Sequence, residues 1–369
     1  MLREMCRMEF GKIWDSQELF GYFAWPTAGR LPDGRLIVVC SGFRMRHVCP
    51  FGKVTAFYSD DEGKTWSSPA VLSSSILDNR DAGLCVSGGK VLLTTFTVSR
   101  AVQRKYMDMW YRQEGMEKEN AFILSYLAMT DDEEELRELG SFIMEGDGYR
   151  FGKRRHMPGE LSAPHGPFAR NGGGFYFAGV KRSLGVDEAP GELAFMESDD
   201  GAQWTERARL CIPSSGLCFC ECHGVQLPEG KIVVQARVQG EQKGRNIFSV
   251  WQCESYDGGS TFTSFRQVIE DGAPPHLLRH SSGALICSYA NRTLPHAGPR
   301  AAISYDGGES WTGHIVLRED AVGEDIGYPS SVELSDGRIL TVFYFTDTPH
   351  QDKTALHYAV WDPDEVGGR

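Results

Sequence analysis

The 369-residue chain carries a net charge of −12 and 41% hydrophobic residues, the profile of a protein with a large buried core rather than of a general nucleic-acid or anionic-membrane binder. No run approaches the ~20 apolar residues that cross a bilayer. The opening MLREMCRMEFGKIW puts charges where an export signal needs an apolar stretch, so a cytoplasmic, reducing location is expected. The ten cysteines are then read as thiols, with Cys40, Cys85 and Cys287 acting as small hydrophobes inside apolar runs.

The first element in the chain is a hairpin. In LPDGRLIVV a polar turn centred on Gly34 precedes a five-residue apolar run, the pattern of two antiparallel strands. The pattern returns in VSGGKVLLTTF (Gly89), NGGGFYFAG (Gly174), LPEGKIVVQA (Gly230), HSSGALICSY (Gly283) and LSDGRILTVF (Gly337). Four of the five intervals are about 53–56 residues and one is about 85, a period that suits four-stranded blades with generous loops. Six similar sheets, each needing neighbours to bury its faces, close most simply into a ring. The predicted fold is all-β, a single six-bladed β-propeller over residues 1–369.

The long interval holds an insertion at about 99–148, in the second blade. SRAVQRKYMDMWYRQEGMEKEN places Val102, Tyr106, Met107 and Trp110 at helical spacing. TDDEEELRELG opens with a capping box from Thr130 to Glu133 and closes at Gly140. This helical insertion serves as a lid, as a contact for a homo-oligomer or as a surface excursion.

Four boxes follow the apolar runs. Ser59-x-Asp61-x-Gly63-x-x-Trp66 and Ser304-x-Asp306-x-Gly308-x-x-Trp311 fit one pattern, Ser255-x-Asp257-x-Gly259-x-x-Phe262 has Phe for Trp, and Glu197-x-Asp199-x-Gly201-x-x-Trp204 has Glu for Ser. An Asp that accepts from turn N–H groups, a Gly free to take positive φ and a pinning aromatic suit a tight turn between outer strands. Hairpin geometry puts these turns on one edge of the ring and the start of each inner strand on the other. Counting about nine residues back from each turn glycine reaches Trp25, Arg80, His165, Glu221, Pro274 and Tyr328. Counting about seven to ten forward reaches Arg44 and Arg237, with Arg292 just beyond the fifth strand pair. A polar cluster at the axis entrance is where propellers bind ligands. Cys218-Phe-Cys-Glu-Cys222-His223 looks like a metal set, but in a strand residues at i, i+2 and i+4 share a face, and no second Cys/His pair follows at structural-zinc spacing. No metal or other cofactor is expected.

The boxes are similar to the Asp boxes of the sialidase superfamily, and the resemblance extends over most of the chain. Glu221 through Arg237 resembles the sialidase segment with a catalytic Glu and a substrate-binding Arg. Pro299-Arg300 resembles the place of another arginine of the carboxylate clamp. Ile326-Gly327-Tyr328 resembles the segment with the nucleophilic Tyr, and His165 in SAPHGPF the place of a small Gly- and His-containing loop. The resemblance implies an exo-glycosidase acting on a terminal acidic sugar, with Tyr328 as nucleophile, Glu221 as its base and Arg237 and Arg300 on the carboxylate. A Tyr nucleophile avoids the like-charge repulsion that a carboxylate would meet at such a sugar.

Two segments depart from the family. Phe23-Ala24-Trp25-Pro26 stands where sialidases carry an arginine two residues before Pro. Arg44-Met-Arg-His47-Val-Cys-Pro50 has no carboxylate where the acid/base Asp is expected. The resemblance then leaves His47 or Asp81 for the acid and Arg44 or Arg80 as replacement contacts, with Arg44 and Arg46 read otherwise as a solvated rim. The partner is a small-molecule or oligosaccharide substrate. Rival readings are a same-fold exo-enzyme for another sugar, of the arabinan type, and a non-catalytic carbohydrate- or protein-binding propeller.

Overall fold

The structure, a computed structural model, describes residues 8–110, 117–181, 192–213, 216–242, 245–347 and 353–366. Six antiparallel sheets follow one another along the chain. The first blade runs Tyr22–Arg30, Leu36–Arg44, Lys53–Ser59, Ala70–Ser73, from inner to outer strand. The fourth runs Cys218–Gln226, Ile232–Gln242, Arg245–Ser255, Arg266–Ile269, and the fifth His276–Arg279, Leu285–Asn291, Gly298–Ser304, Ile315–Val316. In the third blade the inner strand is broken into Leu161–Ser162 and Phe168–Ala169. The sixth takes Gly327–Glu333, Ile339–Phe345 and Ala355–Trp361 from the end of the chain and Glu9–Trp14 from its beginning. Pairing of Glu9–Trp14 with Ala355–Trp361 ties the two ends into one sheet.

The core explains the ring. Six apolar clusters each join two adjacent blades: Ile37 and Val39 with Leu84 and Leu93, for example, and Leu340 and Val342 with Leu36 and Phe57. Every blade thus buries both faces against neighbours, which is why strands such as Leu36–Arg44 read as near-continuous apolar runs.

The Asp-Gly-aromatic turns lie at the edge away from the inner-strand starts. In the first, Ser59 Oγ accepts from Gly63 N (2.9 Å), Asp61 Oδ1 accepts from Thr65 N (2.8 Å), and Trp66 Nε1 donates to Gly63 O (3.0 Å). The turn in the third blade is shifted by one residue from the expected box. Ser198 Oγ accepts from Gly201 N (2.8 Å) and Asp200 Oδ1 from Gln203 N (2.8 Å). Glu197 and Asp199 instead hold Arg170.

Between the second and third strands of the second blade (Asp78–Ser87, Lys90–Val98, Ser141–Gly146, Arg155–His156) stand three helices, α1 Arg100–Trp110, α2 Glu117–Met129 and α3 Asp132–Glu138. The α3 cap is Asp131, whose side chain accepts from Glu133 N and Glu134 N, one residue after the expected Thr130. The side chain of Trp110 and residues 111–116 lie outside the described residues, as does the start of the N-terminal segment, residues 1–7. Met107, Ile123 and Leu127 pack on Met45 and Cys49, so the insertion rests on the first blade's 44–50 loop, at the mouth of the ring.

Candidate active site

At the mouth, four inner strands share one irregularity. Trp25, Asp81, Glu221 and Tyr328 have φ of 55°, 46°, 48° and 49°, and in each blade the pairing register breaks at that point. Such a bulge turns a side chain out of the strand's alternation and, here, towards the axis. For non-glycine residues the left-handed conformation costs about 1–2 kcal/mol each. The second blade turns more tightly, with Ser87 pairing with Lys90, so counting back from Gly89 reaches Arg80, whereas Asp81 occupies the position equivalent to Glu221 and Tyr328.

The bulges bring Tyr328 and Glu221 together across the ring. Tyr328 Oη donates to Glu221 Oε1 at 2.6 Å. Arg237, entering from the fourth blade's second strand, donates through Nη1 to Glu221 Oε2 (2.7 Å) and to Tyr328 Oη (3.2 Å). Burial alone would raise the Glu221 pKa, but Arg237, the Tyr328 hydrogen bond and Arg292 outweigh it and hold Glu221 below the usual carboxylate value. Tyr328 is pushed well above the ordinary phenol value, first by burial and then by the Glu221 charge, with Asp81 adding to it. The resting site is therefore a neutral phenol hydrogen-bonded to a carboxylate.

Arg292, reached by counting but given no role in the sequence, also faces the site. It directly follows the fifth blade's second strand, Leu285–Asn291, and its Cζ lies 5.5 Å from the Tyr328 ring centroid. Its Nε and Nη2, and Nε of Arg237, are buried without a hydrogen-bond partner among the described residues. Buried donors left unmade cost about 1–3 kcal/mol each, so this edge of the site has a standing demand for an acceptor.

A second cluster faces the first. His47 Nδ1 lies 3.0 Å from Asp325 Oδ1 and 3.0 Å from Tyr22 Oη. Tyr22 donates to Asp325 Oδ2 (2.8 Å) and Tyr344 to Oδ1 (3.2 Å). Burial works against the charge on Asp325, but His47 and the Tyr22 hydrogen bond hold it below the usual carboxylate range. Burial lowers the His47 pKa and Asp325 raises it, with Arg80 and Arg44 lowering it further, for a net downward shift. Asp325 lies in the loop before an inner strand, where no strand periodicity marks it, and 40% of its side chain remains open to solvent. Arg80 completes this wall, its Cζ 4.2 Å over the Trp25 ring and its Nη1 donating to His47 O at 3.0 Å.

Four expected substrate contacts have other work. Arg300 does not join Arg237: its guanidinium is spent on the carbonyls of Pro299, Arg318 and His296, with Glu319 at 3.4 Å. Arg44 is fully buried on Asp78 and donates to His47 O at 2.6 Å, bracing the loop rather than lining a solvated rim. Arg46 is likewise buried, donating to Asn120 of α2 (2.7 Å). Trp25 is 1% exposed and forms the floor beneath Arg80. His165 is buried on the axis, edge-on to His276 at 4.9 Å and 3.2 Å from Thr27 Oγ1.

His223 stacks on His276 at 4.4 Å. Nδ1 of His223 accepts from Leu277 N and Nδ1 of His276 from Ser331 N. A neutral ring whose Nδ1 accepts carries its proton on Nε2, which leaves no lone pair for a metal. Phe219 and Cys222 point into the core between the third and fourth blades. Among the described residues no three His, Cys, Asp or Glu converge as a metal set.

No protein-family model matches the sequence, and comparison with curated proteins finds no match. Solved structures do match. A protein of unknown function from Dyadobacter fermentans DSM 18053 is 20% identical, with 96% of this chain and 98% of that chain covered and a TM-score of 0.72. The NanB sialidase of Streptococcus pneumoniae is 16% identical over 97% of this chain and 71% of that chain, TM-score 0.65. The Penicillium chrysogenum α-L-arabinanase, complexed with arabinobiose, is 15% identical over 97% and 98%, TM-score 0.61. The chain has the six-bladed propeller fold of sialidases and arabinanases.

Proposed function

We propose that the protein is a retaining exo-glycosidase for a terminal acidic sugar, with Tyr328 as nucleophile and Glu221 as its base. The observation that carries this reading is the 2.6 Å donation from Tyr328 to Glu221. A phenol hydrogen-bonded to an ionised carboxylate is an activated nucleophile awaiting a driving force, which the cationic transition state supplies as the phenol proton passes to Glu221. Asp81, beside Tyr328, opposes phenolate formation and favours positive charge on the sugar. The glycosidase neighbours share the six-bladed architecture.

The acidic group is assigned to Arg237 and Arg292, whose orphaned N–H groups call for an anion, with Arg80 on its Trp25 platform replacing the arginine absent from the first blade. Guanidinium forks bind a carboxylate in a bidentate, charge-assisted way. His47, oriented by Asp325, is the proposed proton donor to the leaving group, since Asp81 is buried against Arg80 and Tyr328.

One observation favours a second reading. Trp25 in place of the first-blade arginine leaves an aromatic floor, and an arabinan-type exo-enzyme for a neutral sugar would need no carboxylate clamp. A screen of aryl glycosides, sialosides first and arabinofuranosides second, with wild type beside Tyr328→Phe, tests both. Turnover of an acidic glycoside that Tyr328→Phe abolishes is the expected result. Turnover of neutral glycosides alone overturns the acidic-sugar reading, and unchanged turnover in Tyr328→Phe overturns the nucleophile.

A further inference from the structure

The strand that presents Glu221 also brings to the rim two thiols that the chemistry above does not use. Cys218 and Cys220 precede the bulge and stand two residues apart, so they project from one face of the strand. Cys220 lies opposite Arg237 in register, which places that face against the guanidinium gripping Glu221. Cys218 is exposed and Cys220 half-buried, whereas Cys40, Cys49, Cys85, Cys222, Cys253 and Cys287 are buried. Reactive cysteines sit in accessible, electropositive surroundings, and buried ones are inert.

We propose that Cys218 and Cys220 form a thiol-modification site at the mouth of the propeller, with Cys218 as the attacking sulfur and peroxides as the class of oxidant. The electrostatics agree with the placement. Hydrogen bonding from Cys220 and the charge of Arg237 bring the Cys218 thiol down to about 6 against the opposing effects of burial and Glu221, while Cys220, the donor, is pushed up. The two thiols are shifted in opposite directions, down at Cys218 and up at Cys220.

In the step itself, the Cys218 thiolate attacks one oxygen of hydrogen peroxide. An S–O bond forms, the O–O bond breaks, and hydroxide leaves and takes a proton to become water. Sulfur is oxidised by two electrons and the peroxide reduced by two. The product is a sulfenic acid three residues from Glu221, which replaces the thiolate charge that Arg237 had helped to hold. Strand rise puts Cα atoms two residues apart at about 6.6 Å, near the upper limit for a disulfide. The sulfenic acid is therefore the first product, and a Cys218–Cys220 bridge would follow only at the limit of that range.

The test reads labelling, not catalysis, so its failure is distinct from failure of the glycosidase reading. Native protein is treated with iodoacetamide across a pH series, and each cysteine is followed by peptide mass spectrometry. The midpoint of the pH profile decides the matter, because a thiolate of low pKa is also a weaker nucleophile and gains little in rate. Cys218 should label with a midpoint near 6 rather than the ordinary value of about 8.5, and Cys220→Ala should move that midpoint upwards. After hydrogen peroxide, dimedone should add to Cys218 and to no other described cysteine. The Cys211→Ser variant, which removes another exposed thiol, should leave this adduct intact, and Cys218→Ser should remove it. A Cys218 midpoint at or above about 8.5, or a dimedone adduct absent from Cys218, overturns the proposal.

Discussion

The two edges of the propeller use positive φ for opposite purposes. Along the edge of the hairpin turns, positive φ falls to Gly34, Gly230, Gly283 and Gly337, at 93°, 100°, 90° and 86°, each with nothing within 4 Å of where a Cβ would stand. Glycine adopts these angles without steric penalty. At the mouth, left-handed φ falls to Trp25, Asp81, Glu221 and Tyr328, where every side chain is large or charged and buried or partly buried. These glycine turns carry no steric penalty and specify the fold. The mouth accepts about 1–2 kcal/mol per residue, and what it gains is the meeting of Tyr328, Glu221 and Arg237. Strain of this kind persists only where surrounding structure over-determines it, and here each bulge is clamped by the strand pairs below it.

The largest expected effect breaks the comparison at the mouth. Tyr328→Phe keeps the packed ring against Trp25 and Tyr344 and removes only the oxygen. On the proposed chemistry kcat/KM should fall about a thousandfold or more, roughly 4 kcal/mol of transition-state stabilisation, with thermal stability changed little. A fall below tenfold in steady-state assays would detach the strained bulge from the reaction.

Next comes the arginine pair. Arg237→Lys keeps the charge but loses the planar guanidinium whose Nη1 serves Glu221 and Tyr328 while Nε is left for a substrate acceptor, and should cost about 1.5–3 kcal/mol in kcat/KM on an acidic glycoside. Arg300→Lys should leave kcat/KM unchanged and lower the melting temperature instead, because its guanidinium serves only carbonyls and Glu319. Equal kinetic losses in the two variants would put Arg300 back in the site.

How far this was legible in the chain depends on which rule a residue obeys. Turn glycines recur at fixed distance from the inner strands, so the blades, Glu221, Tyr328 and Arg237 could all be found by counting. The same count reached Arg292, but resemblance drew attention to Arg300, and nothing in a sequence tells which arginine is captured by loop carbonyls at Arg318 and His296. Counting also fails by one wherever a bulge or a shortened turn changes the number of residues, as at Asp81 and at Ser198 and Asp200. Asp325 obeys no period, since it belongs to a loop whose course is set by Tyr22 and Tyr344. Helix α2 was missed because Ala121, Phe122, Ile123 and Leu124 form a continuous run rather than a stripe at helical spacing.

The axis below the mouth supplies a pH test of intermediate size. His165, His223 and His276 are buried and each has its pKa lowered, His223 to about 3, first by burial. In the unfolded chain a histidine takes up its proton near 6.5, so between about 6.5 and about 3 the unfolded state binds more protons and is favoured as pH falls. At pH 5 the His223 contribution alone is about 2 kcal/mol of lost stability relative to neutral pH. Urea denaturation at pH 7 and pH 5 should show that loss, and His223→Gln should reduce it. Activity should respond on the same side of neutrality, since His47 protonates only below its ordinary range, so kcat/KM should rise as pH falls below 6.5 until Glu221 begins to protonate. A rate that is flat up to pH 8 would remove His47 as the acid.

The smallest effect sharpens the comparison at its other end. Gly283→Ala places a Cβ in open space at φ of 90°, so no clash confuses the reading and only backbone conformation is charged. The expected loss is about 1 kcal/mol in urea denaturation, with kcat/KM unaffected because the turn lies on the edge opposite Tyr328. An unchanged midpoint would mean that the ring tolerates a side chain there by relaxing φ. The same relaxation would then be open to Glu221 and Tyr328, and their positive φ could no longer be counted as strain held in place for the site. A loss of the expected size, at a position with no neighbours to relieve, measures on the quiet edge the backbone cost that the mouth bears four times over.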